Sequence, residues 1–289
     1  MRQERKDQII TWAVFVPILA LVAIFVYGFI GWNFLVSLTD WAGLTPSYNI
    51  VGFENWTRLF GDPAFYNALE NQLLLVGLFV PVTLVLGLFL AILLDRKLKV
   101  KGMFRNLYML PFGLSYVVTA VFWAWMYNPT NGTINELAEM IGLKFLSLNW
   151  LGDPEIVMYG IILALIWQFS GYTMVIFLAG IKSLPQSQVD AARVGGASGF
   201  TLYRKVVIPQ LKGSFLTAFV ILMIFALKAF DFIWVLRGSS PSSSVLATRY
   251  YVTTFDASQF AYGACFASIL FLLVLLIVIP YLYLSQGEE

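Results

Sequence analysis

The sequence predicts an all-α polytopic membrane protein of six transmembrane helices, and three observations carry that expectation. Of its 289 residues 60% are hydrophobic and only 12% charged, a balance that cannot be folded away from lipid. Charge-free stretches recur at about the 20 residues a helix needs to cross the hydrocarbon core. Thirteen of the eighteen basic residues fall in alternate loops, the pattern that fixes orientation in a bilayer.

The spans are expected near 9–35, 73–94, 108–127, 157–181, 215–236 and 260–284. All but the fifth lack Asp, Glu, Lys and Arg. The first resembles a signal peptide in having basic residues before an apolar stretch. That stretch is longer than the 7–15 residues of a signal h-region and ends in Gly31-Trp32-Asn33-Phe34 without a small-x-small exit, so a retained anchor is expected. Trp12, Trp32 and Trp41 suit interfacial positions.

Arg2, Arg5 and Lys6 flank the first span. Arg96, Lys97, Lys99, Lys101 and Arg105 fill the loop after the second, and Lys182, Arg193, Arg204, Lys205 and Lys212 the loop after the fourth. Positively charged short loops stay in the cytoplasm, so both termini are expected there, with the chain as a single transmembrane domain over 1–289 in the cell membrane. The opposite loops carry Arg58, Lys144, Arg237 and Arg249 alongside Asp40, Glu54, Asp62, Glu136, Glu139, Asp153 and Glu155.

Other function classes recede on composition. A net charge of +2 with dispersed basic groups gives nucleic-acid binding little support. A single cysteine, Cys265, and no histidine exclude an intrachain disulfide and leave no ordinary transition-metal ligand set; no metal or cofactor is expected. No glycine-rich phosphate loop with Lys-Ser or Lys-Thr occurs, and Gly195-Gly196-Ala197-Ser198-Gly199 lacks the lysine that reaches a phosphate. A nucleophile, base and orienter cannot be assembled either, so the chain itself is expected not to be an enzyme. Asn55 and Asn131 match Asn-x-Ser/Thr and are assigned no function.

The loop over 185–209 reads as helix, hinge, helix. Pro185 fits a first helical turn and Gly195-Gly196 a stop. Ser198 can cap a second helix carrying Phe200, Tyr203 and Val207 on one face and ending at Pro209. Ala191 and Ala192 leave a low surface beside Asp190, a shape for docking into another protein; ordinary interfacial helices covering the bundle would read the same way.

Within this loop, Asp190-Ala191-Ala192-x-x-x-Gly196, nine residues, then Val206-Val207-Ile208-Pro209 resembles the EAA loop of ABC importer permeases. Asp190 stands where Glu is usual, and Gly195 where Asp commonly precedes the glycine. The likeness covers nearly the whole chain: Val51-Gly52-Phe53-Glu54-Asn55-Trp56 with Asp62-Pro63-Ala64-Phe65, Arg105-Asn106-Leu107 with Leu110-Pro111, Trp125 through Pro129, and Phe230 through Pro241 are similar to sugar permeases of the maltose-transporter type. The resemblance implies a permease subunit importing a sugar, oligosaccharide or related polyol, paired with a second permease and delivered solute by an extracytoplasmic binding protein. It implies ATP hydrolysis on a separate cytosolic ATPase dimer, engaged through Asp190, Ala191, Ala192, Gly196 and Pro209.

Charges at membrane depth are costly and face protein or a water-filled cavity. Lys228 and Asp231, three apart, are expected on one helix face, lining a solute path or forming a structural pair. Sugars stack on aromatic faces while planar polar groups take their hydroxyls, which adds Tyr116, Trp123, Gln168, Tyr172 and Phe225 as path candidates; the resemblance brings Gln168, Phe225 and Lys228 closest to expected contact positions. An ion- or proton-coupled secondary transporter using Lys228 and Asp231, and a membrane scaffold, remain as alternatives.

Overall fold

The computed structural model describes residues 12–13, 15–95 and 101–286. Arg2, Arg5, Lys6, Arg96, Lys97, Lys99 and the start of the first expected span lie outside the described residues. The chain forms two compact units, one of Met1–Asp62 with Arg249–Leu272 and one of Pro63–Thr248 with Leu273–Glu289.

In the first unit, α1 (Phe15–Ser37) is apolar throughout and contains a π-helical stretch, Ala23–Gly28. Its long apolar window has no buried residue, the character of a helix facing lipid or another chain. Its end is tied down by polar groups. Asn33 Nδ2 donates to Ala264 O (3.1 Å) and Ser268 Oγ (3.0 Å). From α2 (Glu54–Gly61), Asn55 Nδ2 donates to the carbonyls of Ser37 (3.0 Å) and Thr39 (2.7 Å), and Trp56 Nε1 to Ser37 Oγ (3.0 Å). Asn55 is therefore a structural donor. Arg58 lies 4.1 Å over the Tyr262 ring, whose hydroxyl donates to Asp62 at 2.7 Å. Trp41 stacks on Phe260 at 5.0 Å. In the intervening loop, Ser47 and Asn49 donate to Asp40 and hold its carboxyl below the usual carboxylate range. Cys265 is packed, not lipid-facing.

The second unit is built on α3 (Pro63–Asp95) and, after α4 (Lys101–Met109), α5 (Tyr116–Met126) and the short α6 (Thr133–Met140), on α7 (Val157–Ser183). At 33 residues, α3 rises about 50 Å and begins well before the expected residue 73. Two-thirds of the α7 apolar window is buried, and glycines on it explain how. A Cβ at Gly171 would collide with the carbonyl of Tyr108, one at Gly180 with Ser214 Oγ, and one at Gly87 on α3 with the Thr173 side chain. Small residues let membrane helices approach where hydrophobicity alone does not discriminate protein from lipid.

Beyond α7 come α8 (Gln186–Val194), α9 (Gly199–Gln210), α10 (Lys212–Leu227), α11 (Phe230–Arg237), α12 (Leu246–Tyr251) and α13 (Phe260–Gln286). Four described helices are long and apolar enough to cross a membrane, and five if the pair α9–α10, bent by 69°, counts as one span. They fall on the first, second, fourth, fifth and sixth expected spans.

The third and fifth spans differ from expectation. Residues 108–127 are interrupted: Pro111–Gly113 forms a 3-10 turn, Leu114 is extended, and Ser115 caps α5 by accepting from Val118 N at 3.3 Å. The fifth breaks at Ala229, whose φ −72°, ψ 52° and the Phe230 N–H to Lys228 O bond of 2.7 Å define an inverse γ-turn.

Gly171→Leu is expected to destabilise the chain by about 1–3 kcal/mol or more through overpacking. Gly77→Ala, where a Cβ meets nothing within 4 Å, should leave stability unchanged or raise it by up to about 1 kcal/mol. Thermal unfolding in detergent followed by tryptophan fluorescence checks both.

Candidate functional site

The loop over 185–209 forms because its prolines and glycines stop helices where the sequence places them. Leu184, ahead of Pro185, is extended at φ −65°, ψ 136°, as a residue before proline is driven to be, and α7 ends. Pro185 caps α8 from just outside its first turn. At the other end the Ala197 N–H reaches Ala192 O (2.9 Å) and the Gly196 N–H reaches Arg193 O (3.0 Å), with Gly196 at φ +85°. This is a Schellman cap. It explains the spacing Ala192-x-x-x-Gly196: the alanine supplies the third-last helical carbonyl, and the glycine occupies the left-handed position four residues on.

Asp190 is exposed on α8, its Oδ1 accepting from Gln186 Nε2 (3.0 Å) and Arg193 Nη1 (3.3 Å). None of the α8 residues is buried, and Val194 and Phe200 stand 90% and 75% exposed around the hinge, an apolar pair set outward. Ser198 occupies the N-cap position of the next helix without a side-chain bond. Two expectations here need correction. Phe200 does not share the buried face of Val207, and Pro209 does not end its helix. A π-turn over Tyr203–Val207 precedes Pro209; wider turns of that kind relax the hydrogen-bond ladder that a proline would otherwise break, and the helix runs to Gln210 before bending.

The second cluster lies where α5, α7, α10 and α11 meet. A cavity of about 380 Å³ is lined by Tyr116, Gln168, Phe225 and Asp231 together with Phe112 and Phe169. Gln168 is 2% exposed; its Nε2 donates to Leu114 O at 3.2 Å, while Oε1 has no partner. The extended segment 114–115 thus supplies the acceptor that fixes this amide. Phe169 packs on Phe79, Phe112 and Phe225 at 4.7–5.6 Å, making an aromatic wall.

Four of the seven path candidates therefore share one cavity. Trp123 packs into the core beside Tyr127 (5.0 Å) and Trp167 (5.7 Å), and Tyr172 stacks on Phe112 at 4.3 Å; neither lines it. Nor does Lys228. The inverse γ-turn removes the continuous helix that would have put Lys228 and Asp231 on one face, and among the described residues no ion pair joins them. Each charge instead meets a helix end of opposite sign: Lys228 is the C-cap of α10 and Asp231 sits in the first turn of α11.

Sequence reasoning missed three participants. Gln72, 1% exposed on α3, donates to Ala226 O at 3.1 Å, a second and shorter bond to a carbonyl at the end of α10 that also accepts from the Ala229 N–H at 3.4 Å. Phe169 was hidden in an apolar run, its adjacency to Gln168 being the available signal. Asp95 joins Lys182 and Tyr203 across sequence distances that no local pattern spans.

Comparison with known proteins identifies the family. The family described as binding-protein-dependent transport system inner membrane component matches residues 83–287. The chain is 55% identical over 277 residues, 95% of each chain, to a probable ABC transporter permease protein of Pyrococcus horikoshii. It is 44% identical over 272 residues, 93% of this chain and 85% of the other, to the xylose/arabinose import permease protein XacH of Haloferax volcanii. Among solved structures, a chain of a bacterial alginate ABC transporter, in complex with alginate pentasaccharide-bound periplasmic protein, superposes with a TM-score of 0.84 over 100% of this chain and 98% of that chain, at 20% identity; this likeness concerns the fold.

Gly196→Ala is expected to weaken the cap by about 1–2 kcal/mol, because a Cβ in the left-handed region clashes with the following carbonyl. Gly195→Ala, with φ −72° and only ordinary contacts at 3.5 Å, should be neutral. Amide exchange at Gly196 and Ala197 distinguishes them.

Proposed function

The chain belongs to the binding-protein-dependent transport system inner membrane components, and on that premise we propose that it is the permease subunit of an ATP-driven importer for a sugar, oligosaccharide or related polyol. Relatives named for xylose/arabinose, trehalose/maltose and multiple sugars support the substrate class. Residues 1–289 act as one permease domain of six spans, the third and fifth broken, with both termini and the loop 185–209 in the cytoplasm. A second permease completes the path, an extracytoplasmic binding protein delivers solute, and a cytosolic ATPase dimer receives α8 through Asp190, Ala191 and Ala192.

The observation that carries the solute path is the convergence of Gln168, Tyr116, Phe225 and Asp231 on one cavity. Aromatic faces cover the apolar side of a sugar ring, and the Asp231 carboxylate accepts from hydroxyls. Gln168 and Asp231 both lie beside breaks in spans, the arrangement by which broken helices build midplane sites in transporters. Closure of the ATPases would rock the bundle around this cavity. The gradient-coupled alternative loses its motive with the absence of a Lys228–Asp231 pair, and nothing favours the scaffold reading.

Proteoliposomes holding the complete importer test the assignment. Gln168→Leu and Asp231→Asn are expected to cut ATP-dependent sugar uptake at least tenfold while the ATPase still co-purifies. Lys228→Met should have less than a threefold effect. Uptake that persists without ATP and collapses with the ion gradient would refute the reading.

A further inference from the structure

The loop that carries α8 leaves the bundle at Lys182 and returns at Tyr203, and one carboxylate receives both ends. Lys182 Nζ lies 2.6 Å from Asp95 Oδ1, and the Tyr203 hydroxyl donates to Asp95 Oδ2 at 2.7 Å. Asp95 is the last described residue of α3. With the Asp95 side chain 19% exposed and that of Lys182 57% exposed, the acid is the sheltered centre of the cluster and the lysine its outer arm.

Little else holds α8 to the bundle. It buries no residue; only Val189 and Ala192 reach the nearby core, half-covered. Beneath it is a recess of about 480 Å³ lined by Asp95, Lys182, Gln186, Val189, Arg193 and Tyr203 among others. A displacement applied to a helix so loosely packed would be absorbed locally unless its ends were fixed. They are fixed to α3. From Asp95 that helix runs without a break to Gln72, about 35 Å away, where Gln72 Nε2 holds the Ala226 carbonyl at the end of α10.

The geometry points to Asp95 as a positioning residue: it staples the entry and exit of α8 to α3, so that movement imposed on α8 is delivered along α3 to the broken span beside the cavity. This inference rests on the reading of α8 as the ATPase-coupling helix. Lys182 and Tyr203 are the two arms of the staple, and neither touches solute.

Two measurements test it. In the reconstituted importer, Asp95→Asn and Tyr203→Phe are expected to keep the ATPase bound and ATP hydrolysis running while sugar moved per ATP falls at least fivefold; Lys182→Arg, which keeps the cation, should stay within twofold of the parent chain. An unchanged ratio in the Asn and Phe variants overturns the staple. The second measurement uses the purified full chain in lipid nanodiscs, with spin labels at Leu93 and Val194 in a Cys265→Ser background. A narrow distance distribution is expected to broaden in Asp95→Asn and Tyr203→Phe, and an unaltered width overturns the staple whatever the partners do. Should no ATPase accompany even the parent chain, the coupling reading falls, while the distance measurement still decides whether Asp95 fixes the loop.

Discussion

Close approach to α7 is the constraint on which the second unit depends. Between membrane helices lipid is as apolar as leucine, so association rests on packing and polar contacts. The glycines at 87, 171 and 180 let α3, the Tyr108 carbonyl and the start of α10 come within reach of backbone. That closeness sets the depth at which Gln168 points toward the segment 114–115, and it aligns the last turn of α7, with Lys182, beside Asp95 of α3. A bulkier face on α7 would displace the cavity and the loop over 185–209 together.

Backbone that leaves helical geometry inside a membrane protein is tolerated only where protein or a cavity satisfies it. The two breaks obey this rule. The Leu114 carbonyl, freed by the 3-10 turn, accepts from Gln168; the carbonyl of Ala226, beside the γ-turn, accepts from Gln72. Each break thus has a buried glutamine whose second polar atom, Oε1, lacks a protein partner. Unsatisfied buried acceptors cost about 1–3 kcal/mol each, so both breaks are held at some expense in stability.

Hydropathy made the long, unbroken helices legible, since α1, α3, α7 and α13 depend on little beyond apolar length. The helix and hinge after Pro185 were legible too, because Pro185, Gly195 and Gly196 act locally and a Schellman cap has fixed spacing. Sequence reading failed where a turn is decided by a few backbone angles. Nothing in Leu227-Lys228-Ala229-Phe230 marks an inverse γ-turn, so Lys228 and Asp231 read as neighbours on one face and are in fact the flanks of a break. Aromatic content misled for a related reason: Trp123 and Tyr172 are as large and apolar as Tyr116 and Phe225, and only the fold decides which rings meet the cavity and which meet each other.

Asp95 shows the same limit most plainly. In sequence it is one acidic residue at the edge of an apolar stretch, beside Arg96. Its partner Tyr203 lies 108 residues away, beyond any periodicity. Its side chain, 19% exposed, meets a lysine and a tyrosine hydroxyl brought by a distant stretch of chain, whereas Asp231 and Lys228 each meet a helix end of opposite sign within their own segment. Local pattern can account for the second kind of charge, and only the tertiary fold accounts for the first.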